Sequence, residues 1–172
     1  MNLLLAAQAP LPYFYYGDPH LVGVLAARMA LAAALGLVLG VGRERLRKTA
    51  GMRTHMLVSL GSAMFAMSPM LAGMSVEGSS RVIQGIIQGI GFLGAGTIIK
   101  LSDRAEVKGL TTAASTWLTA AVGVACGLGE LWLALVGAAL AWFVLVPVGI
   151  IERRWENRRN AAAPQLDGEK GL

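Results

Sequence analysis

Residues 88–96 read QGIGFLGAG and contain a literal G-x-G-x-x-G at Gly89, Gly91 and Gly94. Whether these glycines make a nucleotide-binding turn or belong to a membrane helix decides the fold. A dinucleotide fingerprint needs a β-strand before it, a helix after it and an acidic residue about 20 positions on to hold the ribose. Here the glycines sit inside an apolar run from Val82 to Ile99. In a membrane span no water-exposed phosphate cradle forms, so the match is accidental. The second phosphate-binding pattern, which ends in Lys followed by Ser or Thr, is missing too, since Lys100 stands between Ile99 and Leu101.

Outward from this stretch the whole chain has the same character. Its 172 residues are 55% hydrophobic and 15% charged, with a mean hydropathy of +0.60, whereas soluble domains carry about 25% charged residues. Five apolar runs of about 20 residues fit a hydrocarbon layer of about 30 Å. They run from His20 to Val41, Thr54 to Met74, Val82 to Ile99, Leu110 to Leu128 and Leu131 to Ile151. The expected fold is an all-α membrane protein, a compact bundle of about five transmembrane helices. The run Leu3 to Ala7 is too short to span and has no basic flank of the kind a removable signal peptide carries. Tyr13, Phe14, Tyr15 and Tyr16 precede the first run, where amphipathic rings favour the membrane interface.

Basic residues orient this bundle, because cytoplasmic loops near membrane spans are rich in Lys and Arg. Arg43, Arg45, Arg47, Lys48 and Arg53 fall between runs one and two, Lys100, Arg104 and Lys108 between three and four, and Arg153, Arg154, Arg158, Arg159 and Lys170 after run five. The opposite side holds only Arg81. The N-terminus is therefore expected outside and the C-terminus in the cytoplasm. The net charge of +5 reports this topology. Nucleic-acid binding is not expected, since the charges are split among loops and form no single patch with stacking aromatics.

Glycine has its own use in lipid: small residues let helix backbones approach closely. Gly36 and Gly40, Gly85 and Gly89, and Gly123 and Gly127 each form a G-x-x-x-G, so runs one, three and four are expected to pack tightly, and self-association as a homodimer is expected. The set Gly89, Gly91, Gly94 and Gly96 is denser than packing requires, and each helical glycine costs about 1 kcal/mol against alanine. A kink or break in the third helix is expected, either closely packed or lining a cavity.

Arg28 lies eight residues into run one, where a charge is costly unless it faces protein or water. Gln88 lies at a comparable depth in run three with Gln84 a turn away, and a carboxamide oxygen accepts from guanidinium. Arg28 is expected to meet Gln88 or Gln84; the alternative is that its long stem carries the charge outward. Thr111, Thr112, Ser115, Thr116 and Thr119 open run four on adjoining faces. They read equally as a polar seam facing a cavity or as hydroxyls bonded back to the preceding turn. Trp117, Trp132 and Trp142 are candidates for packing in the bundle, Trp132 also for an interface anchor. Cys126 alone in an apolar run reads as a small buried hydrophobe.

None of the ten acidic residues falls in the core of a run; Glu44 comes nearest, between Arg43 and Arg45, and is expected to close a local ion-pair network. Neither a cofactor nor a resident metal is expected, with Mg2+ conceivable only as ligand or substrate. His20 and His55 lie at opposite ends of the bundle, and neither has a nucleophile and an orienting acid beside it in sequence, so an enzyme is not expected.

With these residues in place, the sequence resembles the MgtC/SapB family of bacterial inner-membrane proteins. The resemblance rests on RMALAAALGLVLGVGRE (Arg28 to Glu44), AGMRTHMLVSLGSAMF (Ala50 to Phe65), QGIGFLGAGTI (Gln88 to Ile98) and VKGLTTAASTWLTAAVGVACGLG (Val107 to Gly129), and it covers about Leu21 to Ile150. The family's intramembrane Arg falls on Arg28, its G-L-R-T on Gly51, Met52, Arg53 and Thr54, its glycine run on Gly89, Gly91, Gly94 and Gly96, and its G-L-[TN]-T-A-A on Gly109 to Ala114, followed by Trp117. Its G-L-E-R-E falls on Gly40, Val41, Gly42, Arg43 and Glu44, so the first acid is absent. The resemblance implies a role in adaptation to low magnesium and, for some members, survival in host cells; the best-known virulence member is associated with restraint of the rotary ATP synthase, but has Asn at the position of Thr111 and Cys at that of Leu118.

The expected organisation is an extracytoplasmic segment 1–19, a membrane domain 20–151 and a basic tail 152–172, its last residues from Asn160 disordered and its Trp-containing start suited to anionic headgroups. The resemblance implies a further cytoplasmic domain in many relatives, and none is expected after this short tail. Two functions are expected from different classes: a membrane partner that modulates another inner-membrane complex, or a magnesium or other ion transporter whose path runs along the polar seam.

Overall fold

The computed structural model describes residues 18–46, 48–101 and 106–162. The Leu3 to Ala7 run, the four aromatics at 13–16, Arg47, Arg104, Lys170 and the chain end after residue 162 lie outside the described residues. The described chain is helical apart from one small hairpin. Helix α1 spans Pro19–Arg45, α2 Met52–Leu71 and α3 Val76–Gly96; strands β1 (Ile99–Leu101) and β2 (Glu106–Lys108) follow, then α4 Leu110–Leu128, α5 Leu131–Phe143, a π-helical stretch Val144–Val148 and α6 Gly149–Ala162. The strands pair antiparallel, with Lys100 opposite Val107. Three segments are long and apolar enough to cross a membrane by length and composition: Pro19–Arg45, Leu110–Leu128 and Leu131–Glu152.

Local chemistry sets the helix ends. Asp18 accepts a hydrogen bond from the His20 backbone N–H at 2.9 Å, with Pro19 at the first helical position, where its missing donor costs nothing. Ser75 caps α3 through the Gly78 N–H at 3.2 Å. The exposed Glu77 carboxyl in that first turn is held below its ordinary range by its own backbone N–H and by Ser75. Gly109 (φ 100°) and Gly129 (φ 86°) bracket α4 in the left-handed region that side chains avoid. Pro147 lacks the donor an α-turn needs, and the backbone passes it as a π-helical stretch. Continuous helix beyond it carries α6 to Ala162, so helix rather than disorder holds residues 160–162.

The core is where α2 lies between α1 and α4. A Cβ at Gly36 would lie 2.5 Å from the His55 carbonyl oxygen, and one at Gly40 2.6 Å from the Met52 Cα. On the other side Gly123 abuts the Ser59 backbone, and a Cβ at Gly127 would lie 2.5 Å from the Ala63 carbonyl oxygen. Three carbonyls one turn apart on α2, those of His55, Ser59 and Ala63, are each covered by a glycine of a flanking helix. Ala32, Ala63, Ala125, Cys126, Ala134 and Ala138 fill the remaining space, with Leu39 and Val122. Cys126 is fully buried there, as a small hydrophobe.

Helix α3 differs from expectation. It is continuous from Val76 to Gly96, so the glycine run neither breaks nor ends it before Thr97 caps it. The glycine run is not tightly packed either: a Cβ at Gly85, Gly89, Gly91 or Gly96 would meet nothing within 4 Å, and from Gly85 on only one at Gly94 would touch a neighbour, the Ala113 Cβ, at 3.5 Å. The reason is that α3 rests on the α2–α4 pair through Ile90 and Gly94, its buried residues, and turns its glycine-rich side away. Trp117, Trp132 and Trp142 also face outward, at 49%, 81% and 45% exposure.

Candidate functional site

At the end where α1 stops and α2 and α4 begin, the fold collects a polar cluster from three helices. Arg43, the last buried residue of α1, is 4% exposed and donates through Nη2 to the Thr112 hydroxyl of α4. His55 of α2 is fully buried; its Nδ1 lies 2.9 Å from the Gly51 carbonyl and its Nε2 3.3 Å from Ser115 Oγ. A carbonyl only accepts, so Nδ1 carries a proton. The Thr112 carbonyl in turn accepts from Ser115 Oγ and from Thr116 Oγ1, both at 2.9 Å, and the Ser115 carbonyl accepts from Thr119 Oγ1 at 2.8 Å. Ser115, Thr116 and Thr119 therefore bond back to the preceding turn, and Thr111 and Ser115 also border the groove between α4 and α5. Ser59 Oγ, also buried on the His55 face of α2, has no hydrogen-bond partner among the described residues.

Glu44 lies one residue beyond Arg43 and is exposed; its Oε2 takes the Met52 N–H at 3.1 Å. This carboxylate caps the start of α2, where Gly51 has no side chain to do so. The sign is favourable, because an anion there opposes the positive end of the helix. A Cβ at Gly51 would push the Glu44 carboxylate out of this capping position.

Arg28 takes a different place from the one expected. Its Nη1 donates to the Gly127 carbonyl at 3.0 Å, and its guanidinium covers Gly129 at the end of α4. Gln84 and Gln88 are exposed on α3 and do not meet it. The antiparallel register of α1 and α4 explains the switch: Arg43 pairs with Thr112, so fifteen residues earlier on α1 Arg28 arrives beside Gly127. Side chains lean toward the helix N-terminus. The stem thus reaches the carbonyl-rich end of α4, where a cation is favourable.

The other family positions are spread out. Arg53 and Thr54 are exposed on the first turn of α2, and Thr111 is exposed beside buried Thr112. Trp117 lines an apolar groove of 180 Å³ between α3 and α4 with Ile86 and Ile90. The larger grooves are apolar too: 640 Å³ between α2 and α3, 420 Å³ beside Gly42 and the π-helical stretch, and 320 Å³ between α4 and α5. Sequence reasoning missed Arg43 and His55 as partners of the hydroxyls. The signal was the spacing His55, Ser59, Ser62, which puts small polar groups on one face of α2 to match those of α4. It also missed that folding brings Ser115 beside His55; that hydroxyl already donates to Thr112, and both groups are buried, so the pair reads as structural.

Residues 29–154 match the family model described as MgtC family. The chain is 44% identical over 124 residues to Protein SrpB of Synechococcus elongatus, covering 66% of this chain and 68% of that protein. It is 36% identical over 152 residues to Protein MgtC of Salmonella choleraesuis, covering 88% and 60%. Against Protein MgtC of Brucella abortus it is 46% identical over 105 residues, covering 60% and 42%. The chain thus spans about three fifths of the Salmonella relative's length. No solved structure matches it.

Proposed function

The chain belongs to the MgtC family, and from that premise we propose that it is a multi-pass protein of the bacterial inner membrane that supports adaptation to low magnesium by modulating another membrane complex. The orientation that goes with this reading puts the Arg43 end in the cytoplasm. Exposed Arg45, Lys48, Arg53 and Lys108 gather there, as the positive-inside bias requires, and they offer a basic surface to a partner's acidic loops or to anionic headgroups.

The observation that carries the reading is the closeness of α1, α2 and α4. Where an ion path along the hydroxyl seam would run, Gly36, Gly123 and Gly127 bring helix backbones into contact. Ser115, Thr116 and Thr119 spend their protons on neighbouring carbonyls, and the Thr112 hydroxyl accepts from Arg43. Arg28 and Arg43 add fixed positive charge at the two ends of the α1–α4 seam, which opposes cation entry. A rotary ATP synthase is one partner in keeping with the family resemblance, and a role in virulence is a further expectation of the same kind.

Magnesium flux into proteoliposomes tests the proposal. Protein with the monodisperse profile and thermal transition of the folded state is expected to give no flux above empty vesicles, while restoring growth of a deletion strain under magnesium limitation. Flux that Arg28→Gln alters would replace the modulating role with transport.

A further inference from the structure

We propose that the outward face of α3 is a homodimer interface, closed by α3 of a second copy of this chain, with Gln84 and Gln88 pairing across a twofold axis. The starting point is a mismatch of length and polarity. At 21 residues α3 is long enough to span, yet the described helices apolar enough to do so are the other three segments. Its polarity is not spread evenly. At 100° per residue Gln84, Gln88 and Ala95 fall in one stripe, Gly85, Gly89 and Gly96 in the next, and Arg81 and Phe92 between them. This is the side that the bundle leaves uncovered: Gln84, Gln88, Gly85, Gly89 and Gly96 are exposed, and Phe92 is 81% exposed.

Two observations of different kinds point to a helix as the occupant. The first is space. A Cβ at Gly85, Gly89 or Gly96 would meet nothing within 4 Å, and Gly61, Gly85 and Gly89 floor the 640 Å³ groove between α2 and α3. An incoming backbone can approach there as the α2 backbone approaches Gly36 and Gly123 inside the same chain. The second is hydrogen bonding. Neither glutamine has a hydrogen-bond partner among the described residues, and at about 12 and 18 Å along the helix from Val76 they lie well inside a bilayer. An acyl chain offers nothing to a carboxamide, so lipid leaves both groups unsatisfied.

Chemistry then selects a second copy. A carboxamide carries two donors and an acceptor, so Gln is complementary to itself, and two such residues one turn apart repeat the pattern. A twofold axis along the membrane normal, passing beside Gly85 and Gly89, sets Gln84 opposite the partner's Gln84 and Gln88 opposite the partner's Gln88, the isologous arrangement most dimers use. Small residues for close approach and amides for directional bonds are the two devices by which helices associate in lipid. The proposal concerns assembly alone and stands or falls apart from the modulating role.

The test uses the full chain in native membranes and in nanodiscs. In a Cys126→Ala background, Gly89→Cys and Phe92→Cys are expected to cross-link two copies on mild oxidation, and Leu133→Cys, also exposed on α5, is not. The Gln84→Leu/Gln88→Leu chain keeps α3 apolar enough to insert and is expected to dimerise about tenfold more weakly, with the growth phenotype scored separately. Gly89→Ile, which fills the approach, is expected to weaken it on the order of a hundredfold. A monomeric wild-type chain across the accessible concentration range, cross-linking to a different protein at position 89, equal cross-linking at Leu133, or dimerisation unchanged by the double Leu substitution would each overturn the proposal.

Discussion

At the seams of α2 with α1 and α4, Gly36, Gly40, Gly123 and Gly127 each face a neighbouring backbone, whereas on α3 Gly85, Gly89, Gly91 and Gly96 face open space. The motif is the same on all three helices. Each glycine weakens its helix by about 1 kcal/mol relative to alanine, and at the first set that cost is offset by dispersion contacts available only when backbones come this close. At the second set nothing within the chain offsets it. A G-x-x-x-G therefore states that close approach is possible, and only the arrangement of helices says by what.

The comparison breaks most readily at Gly123. Gly123→Leu would drive a side chain into the Ser59 backbone, and it is expected to cost about 3 kcal/mol or more, since backbone cannot shift as a side-chain tip can. Thermal unfolding in detergent, read by loss of the monodisperse peak, measures it. A variant as stable as the wild type would show that α2 and α4 are not held backbone to backbone.

Arg28 gives a middle-sized effect that sharpens the assignment of polar residues to the two regions. Arg28→Gln removes a charge-assisted bond to the Gly127 carbonyl and is expected to cost about 1–2 kcal/mol. The double variant with Gln88→Leu should equal the sum of the singles within about 0.5 kcal/mol, because the two residues share no contact. Strong coupling would restore an Arg28–Gln88 pair.

The smallest effect has the opposite sign. Gly91→Ala adds a Cβ that meets nothing and is expected to stabilise the chain by about 0.5–1 kcal/mol through helix propensity alone. If it destabilises instead, the α3 surface at that position is covered in the assembled protein, and the dimer interface extends further around the helix than Gly85 and Gly89.

Much of this was legible in the sequence because hydrocarbon imposes length and polarity on every span. The five runs fall where α1 to α5 lie, with α4 matching from Leu110 to Leu128, and Cys126 could be read as core because a lone small thiol in an apolar run has little else to do. Glu44 was noticed for the wrong reason. Its neighbours in sequence are arginines, but its carboxylate serves the Met52 N–H across the turn, a contact that depends on how the chain reverses after α1. The contact of His55 went unseen because its partner Ser115 is 60 residues away and the two meet only through the parallel packing of α2 against α4.

By itself the sequence determined the medium, the number of apolar runs, the bias of basic residues to one side and the family. These follow from composition and from short-range spacing, which survive any arrangement of the helices. Only the tertiary structure decided that Arg28 serves the end of α4, that Ser115 meets His55 and Thr112 meets Arg43, and that one of three glycine pairs stays uncovered. Those outcomes depend on which helix faces which and in what register, and a shift of one residue, about 100° around a helix, would reassign every one of them.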